Sequence, residues 1–158
     1  MPVLRLADYL REDLVLWDLP RLEKSAFMEA LVAEVKARLP VVDEPELLER
    51  LLAREAQQST GIGGGLALPH AMVHGLEQTQ LVVARVGESL DFAALDSEPV
   101  DLLFLLLSPP DAAEQHLRVL ARIARIIDAE ETLERLRRAQ GPADLFRMLL
   151  AEDARHVY

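Results

Sequence analysis

The sequence predicts an α/β fold, in which a single domain over residues 1–158 holds a mixed β-sheet of about five strands flanked by helices on both faces. Strand-like apolar runs alternate along the chain with segments of helical periodicity, which is the order typical of such folds. The run VDLLFLLL at 100–107 is apolar without alternation, as in a central strand that is buried on both faces. The chain is 51% hydrophobic but only 4% aromatic, so we expect one largely aliphatic core.

Apolar spacing and prolines predict the first elements. Residues 4–11 suit a short helix, and residues 14–19 suit a strand. Pro20 is predicted to open a helix that runs to about Leu39 and is ended by the next proline. Apolar residues recur there at a spacing of four, at Phe27, Leu31, Val35 and Leu39.

A capping pattern marks the next helix. Asp43 and Glu46 form a D-x-x-E sequence, which predicts a helix over 44–57. At 100° per residue, Arg54 falls on the rim of its apolar stripe and Glu55 on its inner face. The stripe itself consists of Leu47, Leu48, Leu51 and Leu52.

The second half alternates strands and helices. Strands are expected at 66–68, 81–86, 89–92 and 100–107. Asp111 and Glu114 repeat the capping pattern, which predicts a helix to about Asp128. Two further helices are expected over 130–139 and 142–153, separated by a Gly-Pro pair.

Composition excludes several classes of function. The formal net charge of −10 argues against a nucleic-acid partner, because such binding neutralises phosphates with Lys and Arg. The chain has no cysteine, which excludes disulfides, zinc–thiolate sites and thiol catalysis. The apolar run at 102–107 is far shorter than a bilayer span, and the N-terminus lacks the apolar core of a signal peptide. We therefore expect a cytoplasmic protein without direct membrane insertion.

Two histidines stand at the ends of predicted strands. His70 follows the short strand that comes after a glycine-rich turn, and His116 lies on the first turns of the helix after the central strand. Arg54 and Glu55 end a helix that runs into the same turn. Sites in open α/β sheets lie beyond the carboxyl ends of strands, so these side chains are expected to converge on one pocket. His116 is predicted to point inward, since it shares a face with Leu120, Ile123 and Ile127.

This set suits phosphoryl transfer through histidine. A neutral imidazole, with an unperturbed pKa of about 6.5, is nucleophilic near neutral pH. An arginine such as Arg54 grips phosphate oxygens in a planar, bidentate way. Backbone N–H groups of the glycine turn and a second histidine would add donors, and Glu55 would orient Arg54 or a histidine.

The segment REAQQSTGIGGGLALPH at 54–70, with EQHLRVL at 114–120, resembles the EIIA domain of the fructose/mannitol-type bacterial phosphotransferase systems. That family also includes the nitrogen-regulatory IIA protein. The resemblance extends over essentially the whole chain. It implies that His70 is the phosphorylated histidine, that His116 is the second active-site histidine and that Arg54 contacts the phosphoryl group. The remaining residues of the motif, expected to support the site, are Glu55, Thr60, Gly63, Gly64 and Gly65.

One position departs from the family pattern. Gly64 stands six residues before His70, where family members often carry a polar or acidic side chain. The departure leaves backbone donors, rather than a side chain, as the help expected from this turn.

The resemblance also implies a role and partners. The chain would be a phosphotransferase that accepts a phosphoryl group from an HPr-like phosphocarrier and passes it to a separate IIB component in sugar uptake, with a permease on another chain. The alternative is a regulatory module whose binding to a target is switched by histidine phosphorylation. No cofactor or metal is expected.

Simpler interpretations stay open from the residues alone. Arg54 and Glu55 also fit the end of a solvated helix, and GIGGG also fits a flexible connector. If PHAMVH were helical, His70 and His74 at i, i+4 would have the spacing of a metal site, although no third ligand is evident. A solvated helix face is expected for Arg118, Arg122 and Arg125.

Overall fold

Six strands form one mixed sheet in the computed structural model, which describes residues 4–156. The strands are β1 (Val15–Leu19), β2 (Gly61–Gly63), β3 (Leu66–Ala67), β4 (His70–Met72), β5 (Gln80–Leu90) and β6 (Val100–Ser108). The helices are α1 (Lys24–Arg38), α2 (Glu44–Gln57), α3 (Ala113–Ile127), α4 (Glu130–Arg137) and α5 (Pro142–Arg155). This architecture confirms the predicted α/β class.

Strand β6 organises the sheet. The order of the strands in the sheet is β1-β5-β6-β3-β2, and β4 also pairs with β6. Strand β5 lies antiparallel to β6, whereas β3 and β4 both lie parallel to it and pair with successive parts of it. Leu66 is opposite Leu102, and His70 is opposite Leu106. Proline has no N–H to donate between these two short strands, but the Pro69 carbonyl accepts from the Leu106 N–H at 3.0 Å.

The core lies on both sides of this central strand. Residues 102–108 are all buried, and successive side chains of a strand point to opposite faces, so both faces are covered. Helix α3 contacts β6, α2 contacts β4, and α5 contacts β1. No helix within residues 4–156 is long and apolar enough to cross a membrane.

The first elements differ in part from prediction. Residues 4–11 do not form one helix; two short 3₁₀ turns, Leu6–Asp8 and Glu12–Leu14, stand there and just beyond. Pro20 does not open α1, which begins at Lys24, because the Glu23 side chain is the one that accepts from a first-turn N–H. Strand β1 is confirmed.

Two later predictions are also corrected. Residues 81–86 and 89–90 belong to one long strand, β5, whose pairing with β6 shifts register between Arg85 and Leu90, and residues 91–92 lie beyond its end. Asp111 does not cap α3, because Ala112 occupies the N-cap position and no side chain bonds there. Asp43 does cap α2, accepting from the Glu46 N–H at 3.0 Å.

Candidate functional site

Strand β4 fixes the position and the tautomer of His70. The half-buried side chain stands at the start of the strand, and its Nδ1 lies 2.9 Å from the Leu68 carbonyl oxygen. A carbonyl oxygen can only accept, so Nδ1 carries a hydrogen when it makes this bond. The lone pair of the neutral ring is therefore on Nε2, which is the nucleophilic atom.

Helix α3 brings His116 against His70. Their ring centroids are 5.7 Å apart, and the ring planes are inclined by 56°. His116 is 5% exposed, and its Nδ1 lies 2.7 Å from the Ser108 hydroxyl at the end of β6. Burial, followed by the charge of His70, lowers the pKa of His116 to about 4, so His116 is neutral at neutral pH.

A cavity of about 350 Å³ opens at His70. Its wall combines the end of α2, the start of β2 and the middle of α3, including Arg54, Thr60, Ile62, Leu68, Leu95 and Leu120. A second cavity, of about 260 Å³, lies on the α2 side of the same histidine and is lined in part by Arg50 and Arg54. His70 and Arg54 line both cavities.

Arg54 is held in place at the end of its helix. Its Nη1 donates to the Gln58 carbonyl oxygen at 2.7 Å. A guanidinium carries five N–H donors, and this bond occupies one of them. Arg54 can therefore present a planar, permanently charged group beside His70.

Glu55 has different partners from those expected. Its carboxylate accepts from the Thr60 N–H at 3.1 Å and from the Thr60 hydroxyl, and it pairs with Lys24 Nζ at 2.7 Å. The prediction that Glu55 orients Arg54 or a histidine is wrong, because Thr60 and Lys24 occupy both oxygens. With a side chain only 6% exposed, Glu55 instead ties α1 and α2 to the turn that leads into β2.

The glycines lie at the opposite end of the β2–β3 hairpin from His70. Thr60 and Leu68, whose backbones are bonded at 2.9 Å, mark the end near His70, and residues 63–65 form the far tip. The Gly64 N–H donates to Asp96 at 3.1 Å, so it is not available to a phosphoryl group. The expected donor role of Gly64 is therefore wrong. The positive φ angles of Gly63, Gly64 and Gly65, at 106°, 65° and 81°, show that they form the turn.

The structure does not have the geometry that a metal site at His70 and His74 would require. His70 lies on a strand, so His70 and His74 do not share a helix face. His74 instead bonds through Nδ1 to Glu46 at 2.9 Å. Within residues 4–156, no three His, Asp or Glu side chains come together as a metal site would require.

Three residues of the site were missed from sequence. Ser108 closes a strand that is apolar from residue 102 to 107, and that polar end residue was the available signal. Thr79 stands just before β5, where its hydroxyl lies 2.8 Å from that of Ser108. Lys24 gave no signal, because its pairing with Glu55 joins two different helices.

Comparison with known proteins agrees with this geometry. The model of the family described as "Phosphoenolpyruvate-dependent sugar phosphotransferase system, EIIA 2" matches residues 8–152. A nitrogen regulatory protein of Pseudomonas aeruginosa is 36% identical over 94% of this chain and 96% of its own length. A PTS system fructose-specific EIIA component of Haloferax volcanii is 36% identical over 64% of this chain and 66% of its own length.

Solved structures give the same fold. Nitrogen regulatory protein IIA-Ntr from Neisseria meningitidis superposes with a TM-score of 0.82 at 28% identity, over 91% of this chain and 98% of that chain. IIA mannitol from Escherichia coli superposes with a TM-score of 0.70 at 18% identity, over 88% and 97%. The second likeness concerns the fold alone. With a family match over residues 8–152, and with two histidines and an arginine gathered at β4, this chain belongs to the EIIA type 2 family of the phosphoenolpyruvate-dependent phosphotransferase system.

Proposed function

We propose that this chain is a histidine phosphocarrier with a regulatory output. His70 Nε2 accepts a phosphoryl group from the phosphohistidine of an HPr-like protein, and the phosphorylation state of His70 controls binding to a target. The observation that carries the proposal is the bond from His70 Nδ1 to the Leu68 carbonyl, which leaves Nε2 as the nucleophile beside Arg54 and His116.

The step balances between two imidazoles. The P–N bond of the donor breaks, and its electron pair returns to the donor ring, which leaves as a neutral imidazole because its other nitrogen keeps a hydrogen. A new P–N bond forms at His70 Nε2, while Nδ1 keeps its hydrogen and the Leu68 carbonyl stabilises the positive charge that develops on the ring. No proton has to cross between the proteins, so the site needs no general base.

The surroundings of His70 meet the main requirement of phosphoryl transfer. In a loose transition state, negative charge spreads over the three equatorial oxygens, so catalysis depends on positioning and on electrostatic stabilisation. Arg54 supplies the permanent positive charge, and His116 supplies a neutral imidazole 5.7 Å from the His70 ring. The apolar lining from Leu68 and Leu120 limits water at the reacting atoms.

The rim of the cavity suits a protein donor. Two apolar side chains that line the cavity are exposed, Ile62 at 44% and Leu95 at 59%, and Leu117, which follows His116 on α3, is 64% exposed. Apolar groups of this kind form the centre of protein–protein contacts. The net charge of −10 favours a basic partner by steering its approach.

The relatives favour regulation over sugar uptake. Nitrogen regulatory proteins of P. aeruginosa and Bradyrhizobium diazoefficiens match 94% and 83% of this chain, each at 36% identity. Transfer to a IIB component in sugar uptake is the second candidate, which the fructose-specific EIIA relative at 36% identity supports. The complex of E. coli enzyme IIAMTL with phosphorylated enzyme IIBMTL shares only the fold, at 16% identity.

The first experiment is intact mass spectrometry after incubation with phosphoenolpyruvate, the general phosphotransferase enzyme and HPr or its paralogue. We expect one phosphoryl group on the wild type and on His74→Ala, a matched control for an exposed histidine, and none on His70→Ala. Phosphorylation of His70→Ala would contradict the proposal. So would an unmodified wild type beside a control protein that the same carriers phosphorylate.

A second experiment separates the two outputs. The phosphorylated chain is mixed with purified fructose-type and mannitol-type IIB components, and loss of phosphoryl from His70 is followed. Retention of the phosphoryl group, with a growth defect of the deletion strain on poor nitrogen sources, supports regulation. Rapid transfer to a IIB component, with a growth defect on the sugar, supports uptake instead.

A further inference from the structure

Two buried hydroxyl groups stand behind His116 and have no part in the proposed transfer so far. Ser108 Oγ lies 2.7 Å from His116 Nδ1, and Thr79 Oγ1 lies 2.8 Å from Ser108 Oγ. Both Ser108 and Thr79 are fully buried, at 0% exposure. Three polar side chains thus form one line that runs from the core to the active site.

Burial fixes the direction of the hydrogens along this line. If Thr79 donates to Ser108 and Ser108 donates to His116 Nδ1, each hydroxyl hydrogen has an acceptor. In the opposite order the Thr79 hydroxyl hydrogen would have none, because Ser108 is its single partner within residues 4–156 and no solvent reaches it. An unpaired buried donor costs about 1–3 kcal/mol, so the first order is preferred.

The first order sets the tautomer of His116. Since Nδ1 accepts from Ser108, the hydrogen of the neutral ring must be on Nε2. Every fully buried side-chain nitrogen and oxygen in the described part of the chain has a partner. Nε2 of His116 has none within residues 4–156, so it lies where a group from outside can reach it.

We propose that Ser108 and Thr79 are positioning residues that hold His116 as the Nε2–H tautomer, so that His116 donates a neutral hydrogen bond to the phosphoryl group on His70. The inference rests on the proposed function of His70. The lowered pKa of His116 agrees with it, because the ring then donates one hydrogen bond at neutral pH without adding a charge. Arg54 remains the cationic contact of the site, and His116 is a second, neutral donor with a fixed direction.

The first test measures the tautomer directly. Long-range ¹H–¹⁵N correlation spectra of the full chain near pH 7 report which ring nitrogen of His116 carries the hydrogen. We expect Nε2–H in the wild type and in Thr79→Ser, which keeps the hydroxyl. Nδ1–H in the wild type would overturn the proposal. This measurement needs no phosphorylation, so it stands even if the proposed function fails.

The second test asks whether Ser108 and Thr79 act through His116. Ser108→Ala and Thr79→Val, which keeps the side-chain volume, are each expected to slow phosphorylation of His70 about tenfold, the effect of one lost hydrogen bond. Thr79→Ser is expected to keep the wild-type rate. In a His116→Ala background, Ser108→Ala is expected to have no further effect. Equal slowing in both backgrounds would assign Ser108 a merely structural role and overturn the proposal.

Discussion

Two buried polar clusters on helix α3 show how differently one helix can use polar side chains. Near its N-terminus, His116 meets the neutral hydroxyl groups of Ser108 and Thr79. Farther along, Arg122 pairs with Asp153 of α5 through Nε and Oδ1 at 2.8 Å, with side chains 9% and 5% exposed. The first cluster has no formal charge, whereas the second is an ion pair.

The two clusters also differ in whether all of their polar atoms already have hydrogen-bond partners. Asp153 uses its second oxygen to accept from the Leu6 N–H at 2.9 Å, and Arg122 also donates to the Asp153 and His156 carbonyl oxygens. The ion pair therefore has all its polar groups paired, and it holds Leu6 and the end of α5 to α3. The His116 cluster leaves one ring nitrogen accessible. The comparison separates a polar cluster whose groups are all paired from one that can still bind a group from outside.

Breaking the ion pair should have the largest effect on stability. Asp153→Ala leaves Arg122 buried without its carboxylate, and we expect the free energy of unfolding to fall by about 3–5 kcal/mol. Urea denaturation measures it. The double variant Arg122→Met, Asp153→Leu should recover most of that loss, because it removes both charges. A loss below about 1 kcal/mol for Asp153→Ala would contradict a structural ion pair.

Removing Arg54 should affect chemistry instead. Arg54→Ala is expected to slow phosphorylation of His70 about 100-fold, or about 2.7 kcal/mol in the barrier, because the transition state loses its permanent positive charge. The free energy of unfolding should change little. Rapid-quench phosphorylation measures the rate, with Arg147→Ala on α5 as an exposed arginine control. A rate within threefold of wild type, at about 0.7 kcal/mol, would remove Arg54 from the mechanism.

Lowering the pH should reduce the stability that the neutral His116 cluster contributes. Between pH 6.5 and about 4, the unfolded chain binds a proton at His116 that the native protein does not, because burial lowers the native pKa of His116. Stability due to this residue is therefore complete above pH 6.5 and is lost as pH falls. We expect a loss of about 2 kcal/mol between pH 7.5 and 5. Urea denaturation of wild type and His116→Gln should show this loss in the wild type alone; equal pH slopes would refute it.

The exposed arginines of α3 should give the smallest effect. Arg118→Ala and Arg125→Ala are expected to change the free energy of unfolding by less than about 0.5 kcal/mol, because both side chains are exposed. They are matched controls for Arg122 on the same helix. A loss of more than about 1 kcal/mol for either would mean that the solvated face makes contacts of its own.

The site residues that sequence predicted best are those whose positions depend on local order. His70 and His116 each follow a strand that the apolar pattern marks, and β6 brings the two strand ends together. The burial of β6 and the cap at Asp43 were also predictable, because both depend on neighbours within a few residues. Most errors concern contacts between distant segments.

Arg122 is one such error. Helical spacing groups it with Arg118 and Arg125, yet it is also only about 40° from the buried Ile126. Whether this side of α3 faces water or α5 depends on tertiary packing, which the helical periodicity of the sequence does not predict. The same holds for Glu55, whose lysine partner lies on another helix, and for Gly64, whose distance from His70 depends on strand pairing.

The attachment of His70 to the sheet has a consequence for how a partner would sense phosphorylation of this residue. The residue lies on a short strand whose neighbours are bonded to β6, the most buried part of the molecule. A phosphoryl group on such a support would add negative charge at the surface, while the backbone beneath it is held by its pairing with β6. A partner that distinguishes the two states would then sense an electric field rather than a new shape. The difference in binding between the two states would become smaller with added salt, because salt screens interactions between surface charges.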